Sequence, residues 1–98
     1  MRIGWMRVDL MLHGSHSLKE KRRPLKSLVE RLGNRFNVSV AEVDHHDLHQ
    51  RAAIGVALVA VDGGNLHSRM NAVKEFIYNN PEYQVLDIRE MDVGENWD

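Results

Sequence analysis

Between residues 3 and 12 apolar side chains fall on alternate positions. Met6, Val8, Leu10 and Leu12 share one face and Trp5, Arg7, Asp9 and Met11 the other, the period of a strand. After the loop "HGSHS", Ser17 and Glu20 form an S-x-x-E capping box. The period then changes to that of a helix, with the stripe Leu18, Leu25, Leu28, Val29 and Leu32 and a stop expected at Gly33-Asn34. Pro24 interrupts this helix, so a bend, or a regular start near Arg23, is expected. "FNVSVAEV" reads as a second strand with Phe36, Val38 and Val40 on one face. "AAIGVALVAV" at 52–61, apolar on both faces, reads as a central strand. "DGGN" supplies a turn and a cap for a second helix with the stripe Leu66, Met70, Val73 and Ile77, ending at "NNP". "YQVLDIREM" at 83–91 is the last strand, and the acidic "DVGENWD" reads as a loose tail.

The order is βαββαβ. Each helix crosses between strands that are parallel to one another, and the compact solution is an α+β, ferredoxin-like fold, a four-stranded antiparallel sheet with both helices on one face. A chain of 98 residues is long enough for one modest core, so residues 1–93 form a single domain and 94–98 a short acidic tail. Met6, Val8, Leu10, Leu28, Leu32, Val38, Val40, Val73, Phe76 and Leu86 are the expected core. In this topology the first strand ends, the first helix begins and the second hairpin turns at one end of the sheet. Five histidines, His13, His16, His45, His46 and His49, should therefore gather there, with His67 at the opposite end.

Composition narrows the chemistry. With no cysteine there is neither a disulfide nor a thiolate metal site, in keeping with a cytoplasmic location. The apolar N-terminus carries Arg7 and Asp9, so it reads as neither signal peptide nor membrane span. The net charge of −1 argues against a protein that simply coats nucleic acid, but the charge is uneven. Residues 17–35 carry Lys19, Lys21, Arg22, Arg23, Lys26, Arg31 and Arg35 against Glu20 and Glu30. Residues 74–98 carry seven acids against Lys74 and Arg89.

These residues offer four kinds of site. For phosphate, a helix N-terminus offers N–H groups and a positive dipole. His16, Ser17, Lys19, Arg22, Arg23 and Lys26 would form an anion- or nucleic-acid-binding end, with Arg51 approaching from the third strand; against this stands the plain solvated face of a helix. For metal, "VDHHDLHQ" offers His45, Asp47 and His49, with His16 as a fourth ligand, but without a fixed ligand spacing. A polar hairpin whose histidines add charge as pH falls is the preferred reading. For a partner or a second copy, the outer sheet face offers Trp5, Arg7, Met11, Val85 and Arg89. A lone exposed tryptophan could also stack a base, though no paired aromatic pattern accompanies it. For catalysis, no nucleophile elbow or fixed triad order is present.

"HSLKEKRR", "RFNVSVAEVDH" and "DLHQRA" resemble signature stretches of the YlxP-like family, small bacterial proteins of unknown function, across about residues 3–91. The resemblance implies a ferredoxin-like fold and no catalytic activity. It also implies a setting near translation, because family genes often lie beside those for an initiation factor and a ribosome-binding factor. Where the family usually reads "DHQDLWQRA", this chain has His46 and His49; His13 falls in a variable loop, and Pro24 sits where an aliphatic residue is usual. The sequence thus points to a non-enzymatic, cofactor-free module, away from the membrane, that binds RNA or a ribonucleoprotein near translation or ribosome assembly. The alternatives are a homodimeric or partner-binding scaffold and a histidine-rich metal module.

Overall fold

A computed structural model describes residues 1–94. The element order is β1 (Arg2–Met11), α1 (Leu18–Phe36), β2 (Ser39–Asp44), β3 (Arg51–Ala60), α2 (Gly63–Tyr78) and β4 (Gln84–Gly94). The strands form one antiparallel sheet in the order β2-β3-β1-β4, with β1 central. Both helices pack on one face, which is the ferredoxin-like arrangement that the strand and helix periods imply.

Alternation along β1 sends Met6, Val8, Leu10 and Leu12 into the core with Ile54, Val56 and Leu58 of β3. Leu25, Leu28 and Leu32 of α1 and Leu66, Met70, Val73 and Ile77 of α2 close the other side. Val38, Val40 and Phe76 are partly buried against this cluster. Leu86 is an expected core residue that lies outside it, exposed on β4. The register between β1 and β4 slips between Asp9 and Leu10, so that Leu10 faces Val85 and Asp9 faces Asp87. Leu86 is the extra residue of that bulge, and one inserted residue reverses the alternation beyond it.

Three boundaries differ from the sequence reading. Helix α1 is continuous from Leu18 across a buried Pro24, with no late start at Arg23. It also passes Gly33-Asn34 and stops at Asn37, whose φ of 52° is the left-handed cap. Phe36 is therefore helical, and β2 begins only at Ser39. Contact with α2 draws the helix on. The rings of Phe36 and Phe76 meet edge-on with centroids 5.5 Å apart, and the guanidiniums of Arg31 and Arg35 lie over Phe76. At the other end of the chain Asp92–Gly94 continue β4 beside Arg2–Gly4. The remainder of the expected acidic tail, 95–98, lies outside the described residues.

Candidate functional site

The first two turns of α1 carry the basic residues. Lys21, Pro24, Leu25, Leu28 and Leu32 face the core, so a period of 3.6 turns Lys19, Arg22, Arg23 and Lys26 to the opposite, exposed face. Arg23 pairs loosely with Glu82 at 3.3 Å and Lys26 with Glu30 at 3.9 Å. Among the described residues Lys19 and Arg22 have no carboxylate partner. Beside the stripe opens a cleft of about 1070 Å³ between the β1–α1 loop and residues 81–84, and His13, His16, Lys19, Arg23 and Tyr83 line it. Burial pushes the Tyr83 phenol up to about 12, and its hydroxyl donates to the Ile77 carbonyl at 2.6 Å.

The helix end itself is already occupied. Ser17 Oγ accepts from the Glu20 N–H at 3.0 Å, and Glu20 Oε2 accepts from the His16 N–H at 2.6 Å. The carboxylate of Glu20 thus sits in the cleft where an anion would enter, so the four side-chain cations, rather than the helix N–H groups, carry the attraction. Arg51 does not join them. Its partner in register is Met11, which places it on the sheet face away from the helices, and its buried Nε has no hydrogen-bond partner among the described residues.

One member of the basic run organises the hairpin instead. Lys21 is 4% exposed. Its ammonium donates to Glu42 Oε2 at 3.0 Å, to the His45 carbonyl at 3.0 Å and to the Arg51 carbonyl at 3.3 Å. These bonds tie α1 to both ends of the β2–β3 loop. They also help hold His45 at a φ of 62°, left-handed for a non-glycine residue. The spacing of Lys21 from Leu25 and Leu28, four and seven residues, is a core-stripe spacing and could have marked it.

The five histidines share one end of the sheet but not one site. His13 and His16 line the cleft. His46 lies in a groove between α1 and β2 with Arg22 and Lys26. His45 turns to the outer sheet face, its Nε2 3.6 Å from Asp9 and its Nδ1 3.8 Å from Asp44. His49 is exposed in the loop. Among the described residues no three His, Asp or Glu side chains converge as ligands, so His45, Asp47, His49 and His16 do not assemble as a set.

On the outer face Arg7 bridges two strands. It donates to both oxygens of the buried Asp9, at 3.1 and 3.2 Å, and to Asp44 of β2 at 3.0 Å. The Arg7 guanidinium holds the Asp9 carboxyl below the usual carboxylate range. Asp44 is lowered first by the His45 backbone N–H and then by Arg7. Toward the other end this face is apolar, with Ile3, Trp5, Val59, Met91 and Val93 all exposed and neighbours in register. Val85, expected here, packs instead against the core, because the bulge at Leu86 reverses its side.

The fold and these surfaces define a small ferredoxin-like α+β domain with a basic helix, an open cleft and a bare sheet face. The chain belongs to the family described as "Protein of unknown function (DUF503)", whose pattern matches residues 3–90. It is similar to "Uncharacterized protein YlxP" of Bacillus subtilis (strain 168), 34% identical over 82 residues that cover 84% of this chain and 89% of the relative. The YlxP-like resemblance is thereby borne out. Neither description names a catalytic activity. Among the described residues no helix is long and apolar enough to cross a membrane.

Proposed function

We propose that this chain is a non-enzymatic, cytoplasmic module that binds the phosphate backbone of RNA, free or within a ribonucleoprotein, near translation or ribosome assembly. The observation that carries the reading is the exposed stripe of Lys19, Arg22, Arg23 and Lys26, of which Lys19 and Arg23 line the cleft with His13 and His16, and Arg22 and Lys26 the groove with His46. Four cations on two helical turns suit a string of phosphates, which is read by position and charge rather than by base edges. Asp9, Asp44 and Asp87, which would repel such a ligand, are on the far face of the sheet. The setting near translation is the part of the reading that comes from the family resemblance alone.

The test is RNA binding by the triple variant Lys19→Ala, Arg22→Ala, Arg23→Ala across a salt series. Loss of three phosphate contacts should weaken binding on every sequence and make the log–log salt slope shallower by about 2. Stability should move by less than about 0.5 kcal/mol, because these exposed charges contribute little to folding. An unchanged affinity and slope would leave the stripe as a solvated helix face.

A further inference from the structure

We infer that the apolar half of the outer sheet face is the docking surface for a second copy of this chain, sheet against sheet. Five side chains compose it in adjacent rows. Val59, Ile3 and Val93 stand side by side across β3, β1 and β4, and Trp5 and Met91 form the next row beside Ala57. Trp5 is 42% exposed, Val59 58% and Met91 57%, on the strands that carry the core on their other side. No element of the described chain covers them, since α1 and α2 both lie on the opposite face.

Three features select a second copy as occupant. The first is charge. A surface that meets its own image cannot use an excess of one sign, and among the described residues the charges here other than Arg51 are already paired within the chain. Arg7 is bonded to Asp9 and Asp44, and Arg89 to Asp87. Apart from Arg51, at the far end of the face, a polyanion or a strongly acidic or basic partner finds no unpaired charge there among the described residues. The second is area. The whole outer face, made of strands six to eleven residues long and about 4.8 Å apart, spans roughly 600 Å². A standard stable interface takes roughly 800 Å² per partner, so a second copy would cover the paired charges as well as the apolar rows at its centre. The third is the sheet edge. Exposed Arg89 and Glu90 on β4, with Asp87 and Asp92, discourage edge-to-edge pairing there, so association is directed to the face. Two sheets stacked about 10 Å apart would interdigitate the rows of Trp5 and Ile3 as in a β-sandwich core.

Mass and tryptophan emission, measured together on the full chain over a dilution series, test this. A Trp97→Phe background leaves Trp5 as the sole tryptophan of the two. The expected result is a species of twice 11.3 kDa whose emission shifts to the blue, and is shielded from a soluble quencher, as it forms. Val59→Glu and, separately, Met91→Glu should weaken association by about a hundredfold while circular dichroism stays native. Tyr78→Glu, at an exposed site on α2, should leave the dimer intact. A monomer at every soluble concentration overturns the proposal. So does a dimer in which Trp5 stays open to quencher, survives both glutamate variants, or is lost in Tyr78→Glu.

Discussion

Lys21 is the side chain that ties the basic helix to the histidine-rich hairpin. Its three N–H donors meet three acceptors, a carboxylate and two loop carbonyls, from the other side of the core. Lys21→Met keeps the length of the side chain and removes the donors, so Glu42 and both carbonyls lose a partner in a largely buried place. Urea unfolding should show a loss of about 2–3 kcal/mol. A loss under about 0.5 kcal/mol would mean that water replaces the ammonium at no cost. The Arg7 network makes a second prediction, about acid. Asp9 and Asp44 titrate lower in the folded chain than unfolded. The stability they contribute is therefore present above the unfolded carboxylate value, about pH 4, and drains away as pH falls through the folded values. Arg7→Gln removes the shared cation. Its Tm should be lower near neutrality but should fall less steeply below about pH 4 than that of the parent. Parallel acid limbs would show that other carboxylates govern acid unfolding. The charge run from Lys19 to Lys26 was plain in the sequence, but the one buried member was not, because a lysine is normally read as exposed. Arg7 and Asp44 stand 37 residues apart, and only the register of β2 on β3 and of β3 on β1 brings them together.

At the scale of elements, periodicity carried most of the fold. Strand β1, both helix stripes and the doubly apolar β3 were legible because each buries a face whose period is fixed by backbone geometry. The order βαββαβ then left few ways to close a sheet. What escaped were the ends and irregularities, where two local signals compete. Gly33-Asn34 and Asn37 both offer a helix stop. The choice fell to a tertiary contact, Phe36 on Phe76, that no local window contains. The bulges are similar. Leu86 in β4 and Val43 in β2 are single extra residues, and each changes which side chains reach which face. The first moved Val85 inward and Leu86 out. The second lays Val43 across Gly55, 3.0 Å from where a Cβ would stand, so a larger residue at 55 would collide with it. Bulges of this kind leave a weak trace in a sequence, since alternation fails by one step in a strand only a few residues long.

The two layers of the molecule present different surfaces. The helices form one outer layer with the basic stripe, and the sheet presents its bare apolar face on the other side. A sheet-on-sheet dimer would therefore carry its two basic stripes on opposite outer surfaces, far from the interface. This geometry predicts how RNA length should matter. A short oligonucleotide fits one stripe only, so its affinity should be the same for the parent and for Val59→Glu. A long RNA that reaches around the dimer can engage both stripes, the second contact being intramolecular. For that ligand the parent should bind about tenfold or more tighter than Val59→Glu, with the gain lost on dilution below the dimer's own dissociation constant. Combining Val59→Glu with the triple alanine change in α1 should weaken the short RNA no further than the triple change alone, while the extra affinity for the long RNA disappears. The short RNA also separates this arrangement from one in which Trp5 stacks on a base. Stacking on an exposed aromatic is worth about 1–3 kcal/mol per base, so Trp5→Ala would then weaken the short ligand about fivefold or more. Unchanged short-RNA binding in Trp5→Ala, together with the lost gain on long RNA, is the outcome that the two-surface arrangement requires. A loss on the short RNA would move the nucleic-acid site to the sheet.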